Sequence, residues 1–285
     1  MKSRLVVLLF VLLFVLAACS NAGGSPSASS APSLAPTTAA SASPAPSAEA
    51  VELTIYGAAS LKGALEAAEA AYETANPGTT VTLSTGSSAA LETQIEQGAP
   101  ADVFLSADTA NPKKLVDKGL ADGAAVTFAG NKLTVIVPTA NPAGITSPKD
   151  LAKSGVKVIA AGDEVPVTKY ATLFVENLAK EAGYPAGFAA KYTANIASKE
   201  EDVKSVVAKI EIGEGDAGIV YVTDAKASTK VTPVDVPETA NVPATYAGVV
   251  VKASRNAAAA KAFLDWFAGP DGQATLETFG FLPPS

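Results

Sequence analysis

The strongest constraint on the fold is a rhythm in the chain. From Val51 onward, short apolar runs alternate with longer segments whose apolar residues recur at helical spacing. A buried strand needs a continuous apolar run of about four to eight residues, and a helix needs apolar residues three and four apart. Val51–Tyr56 (VELTIY) reads as a strand. Ser60 opens a helix carrying Leu61, Ala64, Leu65, Ala68 and Tyr72 on one face, and Asn76-Pro77-Gly78 stops it. Thr80–Leu83 is a second strand, Leu91 and Ile95 mark a short helix ending at Gly98, and Asp102–Ser106 is a third strand. Asn111-Pro112 caps and starts the next helix. Leu133–Pro138, Val156–Ala160, Gly218–Val222 and Tyr246–Val251 complete the strands. Thr168–Ala182, the segment around Val203, Val206, Val207 and Ile210, and the pair Asn256–Phe267 and Asp271–Phe279 complete the helices. This alternation predicts an α/β protein with helices on both faces of its sheets. No internal repeat is visible.

The first 48 residues stand apart. Lys2 and Arg4 precede an unbroken apolar run, Leu5–Leu16, which is short for a bilayer span and reads as an export signal. It ends in Leu16-Ala17-Ala18-Cys19, which resembles a bacterial lipobox: cleavage after residue 18 leaves Cys19 to carry lipid and tie the protein to the membrane. An ordinary signal peptide with an incidental cysteine is the alternative. Cys19 is the one cysteine of the chain, so internal disulfides and cysteine-rich metal sites are excluded. Residues 20–48 are Ser, Ala, Pro, Gly and Thr with almost nothing else, a composition that cannot bury a core and is expected to act as a disordered tether. Fully extended, it reaches on the order of 90 Å at about 3.3 Å per residue.

Two absences narrow the function. The chain has no histidine, which removes imidazole acid–base catalysis, Ser-His-Asp and Cys-His constellations, and histidine metal ligands. The net charge is −7, and removal of residues 1–18 takes Lys2 and Arg4 with it, leaving −9. A surface of that sign argues against nucleic acid and against an anionic membrane face. It leaves a small anion open, because aligned N–H dipoles hold an anion whatever the outer charge.

Three turns share one logic. Gly57-Ala58-Ala59-Ser60-Leu61, Thr85-Gly86-Ser87-Ser88-Ala89 and Val165-Pro166-Val167-Thr168 each stand where a strand gives way to a helix. A helix start carries unpaired N–H groups and a partial positive charge, and a serine there adds a hydroxyl donor. Several such ends facing one cleft make a neutral anion site. Taken singly, Ser60 and Ser88 read equally as N-caps, and Tyr221 as a core tyrosine with its hydroxyl tied to the backbone. Asp102 and Asp108 read as turn-closing carboxylates. Phe263, Trp266 and Phe267 read as the buried side of the last helices. Ser154-Gly155-Val156-Lys157 matches an S-x-x-K pattern without its companion motifs.

Several pieces together are more specific than any one. They are Gly57–Leu61, Gly86-Ser87-Ser88, Gln97–Asp108 (QGAPADVFLSAD), Val165-Pro166 with Tyr170-Ala171, Glu201-Asp202-Val203, Gly218–Tyr221 with Asp224-Ala225, and Gly280-Phe281. In order and spacing the head resembles the molybdate-binding proteins of ABC importers, in the type II periplasmic-type solute-binding superfamily. The resemblance runs over nearly all of 51–285. It implies two α/β lobes joined by two crossing strands, expected near Leu133–Pro138 and Tyr246–Val250, with lobe I at 49–133 and 248–285 and lobe II at 134–247. It implies no enzyme activity and no cofactor, a molybdate or tungstate ligand, a monomer, and an ABC transporter membrane permease as partner. It implies an oxyanion shell without positive side chains: Ser60 and Ser88 through hydroxyl and main-chain N–H, Val167 and Val203 through main-chain N–H, and the Tyr221 hydroxyl, with no direct ligand to the metal atom.

The chain departs from that family where Val167-Thr168 replaces Ala-Gly, which is expected to narrow the pocket or add a hydroxyl. Ser198-Lys199-Glu200-Glu201 also reads as a capping box that would absorb the Val203 N–H, whereas capping by Asp202 would leave it free. Outside oxyanion capture, the alternatives are a binder of another solute, a serine-dependent surface hydrolase and a structural surface lipoprotein.

Overall fold

The computed structural model describes residues 50–284. The signal segment 1–18, Cys19 and the tract 20–48 lie outside the described residues. Among the described residues, ten strands form two five-stranded sheets.

The first sheet contains β1 (Val51–Ala58), β2 (Thr79–Gly86), β3 (Val103–Ser106), β4 (Val126–Asn131) and β10 (Ala244–Val250), in the order β2-β1-β3-β10-β4. The second contains β5 (Leu133–Pro138), β6 (Val158–Ala161), β7 (Ile196–Glu200), β8 (Ala217–Tyr221) and β9 (Val231–Val234), in the order β7-β6-β8-β5-β9. Both sheets follow one plan. Three strands run parallel, and an antiparallel strand (β10 or β5) is inserted beside the third. The sequence carries no visible repeat, yet the topology repeats.

Burial explains which strands formed from which residues. β3, β5, β6 and β8 are buried along their whole length, so each reads as a continuous apolar run. The edge strands β2, β4, β7 and β9 are only partly buried. Three of them, β4, β7 and β9, are strands that apolar runs do not announce. β9 contains Pro233, which a sheet tolerates at its edge. The strands expected to cross between lobes, Leu133–Pro138 and Tyr246–Val250, each lie within one sheet. The chain changes sheet just before them, at Lys132 and across residues 235–243.

Helices cover the sheets: α1 (Lys62–Ala75), α2 (Ser88–Glu96), α3 (Ala110–Asp117), α4 (Pro166–Leu178), α5 (Phe188–Ala194), α6 (Val203–Glu211), α7 (Val222–Lys226), α8 (Ala257–Ala268) and α9 (Pro270–Thr278). α1 buries Ala64, Leu65, Ala68 and Tyr72, the stripe its spacing predicts, and ends with Asn76 as C-cap. Phe263 and Phe267 of α8 are fully buried, and Tyr72 packs edge-on against Phe263 and Trp266. Thr109, not Asn111, is the N-cap of α3. Gly248 lets β10 pass close to β3: a Cβ there would lie 2.6 Å from Leu105 Cδ2 and 2.9 Å from the Phe104 carbonyl oxygen. None of the described helices is long and apolar enough to cross a membrane.

Candidate functional site

In a parallel α/β sheet the loops that leave the carboxyl ends of the strands open onto one crevice, and the helices that follow present their N-termini to it. Here the parallel strands of both sheets deliver such loops to one place. β1 leads through a 3₁₀ turn, Ala59–Leu61, into α1, and β2 leads into α2. β6 leads to α4, β7 to α6, and β8 ends at Tyr221. A small cavity is lined by Ser60, Ser88, Val167, Val203 and Tyr221, with Asp202 beside them. It has room for the centre of a water-sized sphere over about 10 Å³. All five residues proposed from sequence are brought together. They come from both sheets and are at most 6% exposed.

The donors are arranged by local structure. Ser88 is the first residue of α2, Val203 the first of α6 and Val167 the second of α4. Main-chain N–H groups at such positions have no carbonyl four residues back within the helix. Neither serine is an N-cap: Ser87 caps α2, and Ser60 lies within the 3₁₀ turn. Ser88 Oγ accepts the Ala107 N–H at 3.1 Å, so its own proton is available elsewhere. Ser60 Oγ lies 2.9 Å from the Tyr246 hydroxyl.

The competing capping box does not form. Ser198–Glu200 belongs to β7, and the Ser198 hydroxyl donates to the Glu200 carboxylate. Asp202 is the N-cap of α6 and accepts the Ser205 N–H at 2.8 Å. Its carboxylate is therefore occupied by its own helix, and the Val203 N–H is left to the cavity side.

Tyr221 is the most telling residue. It is 1% exposed, and its hydroxyl has no hydrogen-bond partner. A buried, unpaired hydroxyl is costly, so one standing at a cavity of donors marks a position that a ligand acceptor would complete. Burial pushes its pKa well above the ordinary tyrosine value, reinforced by Tyr246, Tyr170, Asp224 and Asp108. It stays a neutral donor. No lysine or arginine lines the cavity.

The expected effect of Thr168 is corrected. Its hydroxyl donates to the Ala161 carbonyl at 3.0 Å, and the residue faces a different hollow, so it adds no donor to the site. That hollow, about 560 Å³, lies on the second sheet's side among α4, α5, β6 and β7. It is far larger, but Thr168, Thr172 and Thr193 on its walls all donate to main-chain carbonyls. Convergent free donors, rather than volume, single out the smaller cavity.

The carboxylates are structural. Asp102 accepts from the Thr54 N–H at 2.8 Å and the Ser254 hydroxyl at 2.5 Å. Asp108 accepts from Ser106, from the Asn111 main chain and side chain, and from Lys169 at 3.3 Å. Lys204 lies 2.9 Å from the buried Asp224, whose pKa burial pushes up. Among the described residues no cluster of acidic, histidine or cysteine side chains is placed to hold a metal ion.

The family model for bacterial extracellular solute-binding proteins matches residues 53–282. The chain belongs to that family. Members of this solute-binding family are transport proteins, not enzymes, and carry a solute rather than a cofactor. The chain is 35% identical over 246 residues to the molybdate-binding protein ModA of Mycobacterium tuberculosis, covering 86% of this chain and 90% of the relative. It is 33% identical to ModA of Escherichia coli, over 81% and 88% of the two chains. Among solved structures, the periplasmic molybdate-binding protein of Azotobacter vinelandii superposes with a TM-score of 0.70 at 28% identity, over 82% of this chain and all of that one. As a solute-binding protein of this kind, the chain has the expected two-lobed α/β fold and works outside the cytoplasm.

Proposed function

We propose that this solute-binding protein captures a tetrahedral oxyanion, molybdate or tungstate, and delivers it to the membrane permease of an ABC transporter. The observation that carries this reading is the orphaned Tyr221 hydroxyl standing over helix starts from both sheets. Ser60, Ser88 and Tyr221 supply hydroxyl donors, and Ser60, Ser88, Val167 and Val203 supply main-chain N–H donors. The relatives named for molybdate support the same ligand class.

The energetics are sufficient. A hydrogen bond to a charged group contributes about 1.5–3 kcal/mol. Several of them offset the desolvation of a dianion and its lost freedom. Binding between about a micromolar and a few nanomolar needs roughly −8 to −12 kcal/mol. A smaller dianion such as sulfate would leave donors unpaired, and hydrogen phosphate brings a proton that a shell of donors cannot accept.

The lobes would be 49–132 with 244–285, and 133–243, a few residues from the expected boundaries because the chain changes sheet at Lys132 and across residues 235–243. Because Ser60 and Ser88 stand on one side and Val167, Val203 and Tyr221 on the other, the ligand completes its bonds only when the lobes are together, which couples binding to closure. Cys19 would carry lipid and residues 20–48 would tether a monomeric head to the membrane. Replacing Cys19 by serine is then expected to move the protein from the membrane fraction to the soluble one.

Thermal unfolding tests the ligand class. A ligand at about a hundred times its dissociation constant stabilises the fold by about 2.7 kcal/mol. Molybdate and tungstate should raise the melting temperature, and sulfate and phosphate at equal concentration should not. A shift from none of the four would reject the oxyanion reading in favour of another solute.

A further inference from the structure

Ser60 is useful to an anion only if its hydroxyl proton points into the cavity, and a hydroxyl 2.9 Å from another hydroxyl can be donor or acceptor. A chain of groups behind it decides which. Asn131 ends β4 at the crossing between the sheets and is 2% exposed. The Lys132 N–H, which can only donate, lies 2.9 Å from Asn131 Oδ1. This fixes the amide orientation. Asn131 Nδ2 then donates to Thr223 Oγ1 at 2.9 Å and to the Tyr246 hydroxyl at 3.4 Å.

Tyr246 is fully buried, with its ring packed on Phe128, Tyr221 and Phe281. Its oxygen receives the amide proton, and among the described residues Ser60 Oγ is the one acceptor within reach of its own proton, which therefore points to Ser60. Ser60 is left with its proton free. Ser88 reaches the same state by another route, since its oxygen takes the Ala107 N–H, an unambiguous donor.

We propose that Asn131 and Tyr246 are positioning residues that fix the Ser60 hydroxyl as a donor into the cavity, and so bias the site toward oxyanions that carry no proton. This rests on the oxyanion reading above. Two consequences follow. Tyr246 acts on the ligand through Ser60 and through no contact of its own, because it is not among the residues lining the cavity. Without the Tyr246 hydroxyl, the Ser60 oxygen has both lone pairs free and its proton unfixed, so it accepts a proton from a ligand such as hydrogen arsenate more readily.

The test is a double-mutant cycle on molybdate affinity, using the full chain in detergent, dialysed free of oxyanions. Tyr246→Phe is expected to weaken molybdate binding about tenfold in the wild-type background and less than about twofold in a Ser60→Ala background. The same substitution is expected to raise the affinity for hydrogen arsenate relative to molybdate by about tenfold. Asn131→Ala, which keeps the tyrosine, supplies a second cycle with the same expected non-additivity should Tyr246→Phe fold poorly. Equal losses in both backgrounds, with the arsenate ratio unmoved, would overturn the proposal while leaving molybdate capture standing. A wild-type protein that ignores molybdate would remove the oxyanion reading itself, and the relay with it.

Discussion

At the scale of single residues, Tyr221 separates a ligand site from a well-packed core. A tyrosine hydroxyl that stabilised the fold would have a partner; this one has none. Tyr221→Phe is therefore expected to leave the melting temperature unchanged or slightly raised, while weakening molybdate binding about ten- to a hundredfold. Calorimetry and thermal melts on one preparation check both halves. A large loss of stability with little loss of affinity would return Tyr221 to the core. The turns holding Ser60, Ser88 and Val167 have a readable strand-to-helix pattern, whereas Val203 and Tyr221 are named by the family resemblance. Tyr246 and Asn131 had no such signal. Tyr246 stands in an apolar run (ATYAGVV) that reads as strand and nothing more, and its link to Ser60 joins residues 186 positions apart.

Elements carry the main-chain donors, so their caps matter to binding. Asp202 holds the start of α6 through the Ser205 N–H. Asp202→Ala is expected to cost about 1 kcal/mol of stability, as N-cap removals do, and to weaken oxyanion binding by loosening the Val203 N–H. Denaturant unfolding and calorimetry read the two effects. Gly248→Ala tests the packing of β10 on β3: the added methyl would meet Leu105 and a main-chain oxygen, and a loss of about 1–3 kcal/mol is expected. Legibility at this scale follows burial. Central strands such as β5 and β8 bury both faces and read as unbroken apolar runs. The edge strands β4, β7 and β9 bury less, and β7 even mimics a capping box, because its half-exposed end Ser198-Lys199-Glu200 is polar throughout. α5 buries only Phe188 and Tyr192. That is too little periodicity to stand out.

Across the whole molecule, two sheets of one topology put their parallel strand ends at a common crevice, and the proposed anion site draws on both. The electrostatics follow from what the site lacks. There is no histidine, and burial holds Tyr221 and Tyr246 well above the ordinary tyrosine range. Molybdate affinity is expected to be flat between about pH 6 and 9. For stability the sign is as follows. Above the unfolded tyrosine pKa of about 10, the unfolded chain releases protons that the folded chain keeps. The fold should thus lose stability as pH rises past about 10, and these two residues should contribute no change below it. Thermal melts across that range measure it.

The most direct measurement is isothermal titration calorimetry of the dialysed protein with molybdate, tungstate, sulfate and phosphate in parallel. One-to-one binding of the first two, with little heat from the others, is the predicted result. Silence from all four on folded, ligand-free protein, or equal binding of sulfate and molybdate, would contradict it.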